Sequence, residues 1–173
     1  TMTTEKIKSH FEDEFFCHGH TYAYHALAAS AIPAAVAEYD KLFKSGLPQK
    51  TAQHLQKKLY EMGDKHICVG DVRGIGHFWA LEIVKNRETK EPFDYKADKL
   101  SGKSLMTGQI AGDAMKNGLY MAPWYDTLVI APPLIITEDQ IDEAVNILDK
   151  ALKIGDEQAV ETDVAASHSS QYK

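Results

Sequence analysis

Small and apolar residues run almost without interruption from Tyr22 to Phe43, and charge returns only at Glu38. Alanine dominates this stretch, and alanine is the strongest helix former. The pattern predicts one long helix, apolar on most faces, packed against its own core or a second subunit. Pro33 interrupts it and should either kink it or start a new segment. After the break at Ser45-Gly46-Leu47-Pro48, Ala52, Leu55, Leu59 and Met62 recur at helical spacing among Gln and Lys, which predicts an amphipathic helix ending at Gly63. The period then changes. In "HICVGDVRGIGHFWALEIV", Trp79, Leu81 and Ile83 share one face of a strand, and Phe78 and Ala80 make the other face apolar, as expected of a strand covered on both sides. Gly74 and Gly76 mark a turn or bulge before it.

Further along, "SLMTGQIAGDAMKNG" reads as a helix stopped by Gly118, and "LYMAP" and "DTLVIAPP" as short strands. "ITEDQIDEAVNILDKALKIG" is the clearest helix. Thr137 and Gln140 form a capping box, Ile141, Val145, Leu148 and Leu152 form its stripe, and Gly155 is its expected stop. A short turn near Glu5, with Thr4 as its cap, opens the chain. The order predicts an α/β arrangement, more specifically an α+β layer, in which helices cover a short-stranded sheet. Three regions are expected: 1–46 with a loop and the long helix, 47–155 as a small domain, and 156–173 as a polar tail.

Composition narrows the classes. The 173 residues are 44% hydrophobic and 25% charged, with a net charge of −6. That balance argues against a nucleic-acid surface. No apolar run reaches the roughly 20 residues that span a bilayer, and the first residues lack the pattern of a signal peptide. The two cysteines, Cys17 and Cys68, have no CxxC spacing and read as buried thiols of a reducing compartment. The expected location is the cytoplasm.

The densest chemistry lies in "CHGHTYAYH", residues 17–25. Cys17, His18, His20 and His25 offer zinc-type ligand atoms, yet no second cluster completes a zinc spacing. Structural roles for these histidines are the blander reading. Gly19-His20-Thr21-Tyr22 ahead of a helix is also a place where free N–H groups and a hydroxyl attract an anion such as phosphate, although Thr21 could equally be a plain N-cap. No GxSxG elbow is present, and "GDVRGIG" lacks the spacing of a dinucleotide fingerprint. Lys99 and Lys103 read as solvated, and Arg73 as partly buried and paired.

Three stretches, taken in order, resemble one family. "FFCHGHTYAYH" resembles the HGHTYxxHP segment of class III pyridoxal-phosphate-dependent aminotransferases. "DVRGIGHFWALEIVKNRETKEPF" resembles that family's entry into its C-terminal domain. "GLYMAPWYDTLVIAPPLIITEDQIDEAVNIL" resembles its closing strands, PPL turn and last helix. The likeness spans about residues 3–154 and is closest to the omega-amino-acid or amine:pyruvate branch. It implies the C-terminal part of a fold-type I transferase, pyridoxal 5'-phosphate as cofactor, small-molecule amine and keto acid as substrates, and an oligomer that is at least a dimer.

The resemblance also implies roles for residues. Thr21, with Gly19 and His20 beside it, would contact the cofactor phosphate of the neighbouring subunit. Ala26 stands where the family has Pro. The family's Schiff-base lysine lies upstream of the HGHTY segment, so Lys6 and Lys8 are not candidates. The expectation is a chain without its own catalytic lysine, inactive alone, and completed by an N-terminal aminotransferase part or chain. Two arginines that hold a substrate carboxylate in different subgroups align with Val129 and Ala122. Their replacement leaves Trp124 and Tyr125 as candidates for a more apolar substrate pocket, and Trp79 as core. The alternative reading is a non-catalytic dimerisation or accessory module.

Overall fold

Thr51, Leu55, Leu59 and Met62 fall on one side of a helix and are all buried. Removing each leucine from water contributes about 1.5–3 kcal/mol. That stripe organises the larger part of the molecule. The computed structural model describes residues 3–93 and 95–160, and divides the chain into two compact units, 1–40 and 41–173.

In the first unit, α1 (Glu5–His10) is followed by a loop and by α2 (Ala26–Ser30). α3 (Ile32–Lys44) begins here and runs on past Asp40. The long helix expected over 22–43 is therefore two helices. Pro33 lies in the first turn of α3, where its missing N–H costs no hydrogen bond, so it starts a new segment. No residue of α2 or α3 is buried within this chain, so of the two expected arrangements packing against the chain's own core is not observed. Leu27, Ile32, Val36, Tyr39 and Phe43 all stand exposed, because nothing among the described residues packs over them. Thr4 occupies the N-cap of α1 but makes no side-chain cap bond.

α4 (Leu47–Lys65) follows Gly46, whose left-handed φ of +75° turns the chain between helices. Gly63 does not stop this helix. A Cβ there would lie 2.6 Å from Val72 Cγ2, so the glycine permits close helix–strand approach. β1 (Val69–Ile75) and β2 (Phe78–Ile83) form a hairpin turned by Gly76 at φ +59°. Short α5 (Tyr95–Leu100) and then α6 (Met106–Lys116) cross to β3 (Ala122–Trp124), and β4 (Thr127–Ile130) returns between β3 and β2. The sheet order is β1-β2-β4-β3, antiparallel throughout.

α7 (Glu138–Asp156) closes the unit, with the Thr137–Gln140 capping box in place. It runs through Gly155, where a Cβ would meet Cys68 Sγ at 2.8 Å, so that glycine too serves close packing. Ile141, Leu148 and Leu152 of the α7 stripe are buried and Val145 partly so. α4, α6 and α7 cover one face of the sheet, where Trp79, Leu81, Ile83 and Leu128 point inward. The other face is open among the described residues, and Phe78 on it is 64% exposed. The expectation of cover on both faces is corrected accordingly. Of the expected polar tail, 161–173 lie outside the described residues.

Candidate functional site

The loop between α1 and α2 is built from tight local turns. His20 C=O accepts the Ala23 N–H at 2.9 Å, and Tyr22 C=O accepts that of His25 at 3.3 Å. Tyr24 takes a left-handed φ of 62°. Helix α2 begins only at Ala26. Its N-cap is His25, whose Nδ1 accepts the Ala28 N–H at 3.2 Å. Thr21 is therefore not an N-cap, and three turn residues and the His25 cap separate it from the helix it was expected to start. The reason is local: the imidazole nitrogen of His25 satisfies the helix end that a Thr hydroxyl would otherwise serve.

This leaves donors available. Among the described residues, the N–H groups of Gly19, His20, Thr21 and Tyr22 and the Thr21 hydroxyl make no internal hydrogen bond. Nothing lies within 4 Å of a Cβ built on Gly19, so a ligand can approach the backbone there. Exposed donors of this kind suit a phosphate. No three His, Cys, Asp or Glu side chains among the described residues gather as a metal site. Cys17 is exposed rather than buried, because the loop has no core of its own, whereas Cys68 is fully buried.

The aromatic candidates lie in the 41–173 unit. Trp124 ends β3 and pairs with Thr127, so Tyr125 and Asp126 form the hairpin turn. Tyr125 adopts φ 52°, an unfavourable region for a bulky residue. Two hydrogen bonds hold it there: the buried Thr107 hydroxyl donates to Tyr125 C=O at 2.6 Å, and Ile83 N–H donates to Asp126 C=O at 2.6 Å. The Trp124 and Tyr125 rings meet edge to face at 6.0 Å, and both are exposed. Trp79, by contrast, is a core residue, 2% exposed, with Nε1 donating to Gly76 C=O at 2.8 Å.

Cross-strand register draws the open face together. Arg73, Ala80, Val129 and Ala122 occupy one rung across all four strands. Arg73 Nη1 donates to Asp71 at 2.8 Å and to Glu82 at 2.6 Å. Those hydrogen bonds, with the charges of the two acids, hold its pKa above the usual arginine value. Its charge is thereby matched, and the rest of the rung is small and apolar. Val129 and Ala122 also border an apolar groove of about 600 Å³ between α4, α7 and the β3 edge.

Comparison with known proteins gives the family. The pattern of the class-III aminotransferases matches residues 1–152. The chain belongs to that family. Among class-III aminotransferases, it is 36% identical over 139 residues to putrescine–pyruvate aminotransferase of Pseudomonas aeruginosa, covering 79% of this chain and 28% of that protein. It is 34% identical over 165 residues to adenosylmethionine-8-amino-7-oxononanoate aminotransferase of Methanocaldococcus jannaschii, covering 90% and 33%. A solved structure of taurine:2-oxoglutarate aminotransferase from Bifidobacterium kashiwanohense, in complex with pyridoxal phosphate and glutamate, superposes with a TM-score of 0.69 at 34% identity, covering 90% of this chain and 34% of that one. The chain thus spans about a third of the length of these class-III aminotransferases. No helix among its described residues is long and apolar enough to cross a membrane.

One cluster escaped the sequence reading. His66, at the end of α4, lies between Asp149 and Asp156 of α7, while Arg87 donates to the carbonyls of Gly63, His66 and Val69. Arg87 thereby satisfies the Gly63 carbonyl in the last turn of α4 and ties that helix end to the start of β1. These partners lie 18 to 90 positions apart in sequence, so no local pattern marks them.

Proposed function

We propose that this chain acts as the C-terminal part of a pyridoxal-phosphate-dependent transaminase that moves an amino group from an amine or omega-amino acid to a keto acid such as pyruvate. The match to the class-III aminotransferases over residues 1–152 carries this reading. The donor row of the α1–α2 loop fits one part of the cofactor. Thr21 donates its hydroxyl, and Gly19 and His20 their N–H groups, to the phosphate of a cofactor held by a partner subunit. The assembly is at least a dimer, completed by the remaining aminotransferase sequence. When bound, the cofactor supplies the carbonyl that takes up the amino group and the ring that draws electrons from the reacting carbon.

The chain's own residues would then fix the phosphate, shield the site from water and select the substrate. Gly19 lets the backbone approach the anion, and Thr21 adds a charge-assisted hydrogen bond. Trp124 and Tyr125 offer large apolar surfaces with polar edges for an amine's hydrocarbon part. The Ala80-Val129-Ala122 rung presents no free cation to a substrate carboxylate, because Arg73 is engaged by Asp71 and Glu82. This favours donors without a carboxylate next to the amine. Putrescine, named in a relative above, is a donor of that sort.

The test is amino transfer by the assembled enzyme. Pyruvate should be converted to alanine with diamines or simple amines as donors, and Thr21→Ala should raise the cofactor concentration needed. Absence of transfer across such donors, with cofactor binding indifferent to Thr21, would overturn the proposal.

A further inference from the structure

His25 comes directly after the turn that carries the donors Gly19 to Tyr22, and it is tied to both the turn and the helix. Its Nδ1 accepts the Ala28 N–H at 3.2 Å, which makes it the N-cap of α2. An accepting Nδ1 must present a lone pair, so the ring carries its proton on Nε2. Its own N–H donates back to Tyr22 C=O at 3.3 Å, and its ring meets the Tyr22 ring edge to face at 6.0 Å. One step upstream, the Ala23 N–H donates to His20 C=O at 2.9 Å. The carbonyls of His20 and Tyr22 are thus engaged within the turn, while the N–H groups of the donor row are not.

Burial does not hold this turn, because every residue from Cys17 to Ser30 is exposed. Tyr24, inside it, takes a left-handed φ of 62°, and a bulky residue stays there only where neighbouring contacts fix it. Among the described residues, the His25 cap is the one side-chain hydrogen bond made by residues 17–25. It joins the turn to a helical run that continues through the right-handed torsions of Ala31 into α3 and reaches Lys44.

We propose that His25 is the positioning residue of the phosphate-contacting loop: by capping α2 it fixes the turn that keeps the N–H groups of Gly19 and His20 and the Thr21 hydroxyl arrayed for the cofactor phosphate. This rests on the phosphate role given to that loop above. His25 acts through the backbone and not by contact with the phosphate. Without its acceptor nitrogen, the Ala28 N–H is left to water, the first turn of α2 frays, and the Tyr22–His25 turn loses its anchor. Phosphate binding must then restore that order, and affinity falls by as much as the cap contributes.

Cofactor titration of the assembled enzyme tests it, with pyridoxal 5'-phosphate and with pyridoxal, which lacks the phosphate. His25→Ala should weaken binding of the phosphorylated form about two- to thirtyfold, the range spanned by N-cap side chains, and leave pyridoxal binding unchanged. His25→Asn supplies a strong capping oxygen and should restore most of the affinity. His25→Phe keeps a ring beside Tyr22 but has no acceptor, and should behave as His25→Ala. Thr21→Ala, measured beside them, separates the two claims. If it weakens the phosphorylated form selectively and His25→Ala does not, the loop binds phosphate but His25 does not position it. Equal losses for both cofactor forms in His25→Ala, or an Asn variant no better than the Ala one, would also overturn the positioning role. If neither Thr21→Ala nor His25→Ala moves the preference for the phosphorylated form, the phosphate role of the loop fails and the inference falls with it.

Discussion

Ala122 and Val129 face each other across the β3–β4 ladder, and Val129 faces Ala80 on its other side. The resemblance to class-III aminotransferases aligns carboxylate-holding arginines with Ala122 and Val129. They lie eight residues from one end of the hairpin segment to the other yet are direct neighbours on the sheet. An arginine at either position would rise from the same rung, so the two alignments describe one place on the sheet.

Restoring that charge should therefore change donor preference. In the assembled enzyme, Val129→Arg should raise kcat/KM for carboxylate-bearing donors relative to simple amines by about tenfold or more, since a hydrogen bond to a charged group contributes about 1.5–3 kcal/mol. Steady-state kinetics with matched donor pairs measure this. An unchanged ratio would count against the apolar rung as the reason for donor choice.

Thr21→Ala should weaken cofactor binding in the assembled enzyme by about 1.5–3 kcal/mol, the contribution of one charge-assisted hydrogen bond. Thr21→Ser should retain most of the affinity. The structure removes a confounding effect: Thr21 caps no helix, and the N-cap of α2 is His25. Folding stability should thus be the same in both variants, and cofactor titration alone should separate them.

Gly155→Ala tests the close packing of α7 on β1. The added methyl would sit 2.8 Å from Cys68 Sγ and 3.0 Å from its Cβ, both buried. Overpacking of this kind costs about 1–3 kcal/mol, which exceeds the helix-propensity gain of up to about 1 kcal/mol from Gly to Ala. Denaturant unfolding should show a lower midpoint. A raised midpoint would show that Gly155 merely awaits a better helix former.

Acid should loosen the junction between α7 and the end of α4, where Asp149 and Asp156 meet His66. Asp149 and Asp156 ionise below the ordinary carboxylate range in the folded protein. As pH falls, the unfolded chain takes up these protons first. The stability they contribute is therefore complete above about pH 4, the unfolded value, and is lost as pH drops through their folded values. Unfolding midpoints measured downward from pH 5 should fall, and less steeply in Asp156→Asn.

Much of the larger unit was legible because its signals are local. The Thr137–Gln140 box, the α4 and α7 stripes and the alternation of Trp79, Leu81 and Ile83 each lie within one element. Helix ends were less so. Gly63 and Gly155 read as stops, yet each accommodates a side chain from β1 or its approach, Val72 and Cys68, and that requirement belongs to packing rather than to the helix. The split of the Ala-rich stretch turned on Pro33, for which the sequence left a kink and a new start equally open. The histidine loop was conspicuous, but its turn geometry was hidden, because His25 rather than Thr21 starts the helix. The His66 bracket and the Arg87 cap left no trace in the sequence, since their partners come from other elements.

Gly46 carries a consequence of another kind. Its φ of +75° suits the mirror-image backbone, and nothing lies within 4 Å of the position an L-side chain would occupy. What bars substitution there is handedness, not crowding. A D-alanine introduced by chemical ligation would meet the torsional demand that its L-enantiomer resists, while narrowing the freedom of the denatured polypeptide. The α3–α4 junction is thus a site where inverted stereochemistry, rather than any of the encoded residues, would make the molecule sturdier.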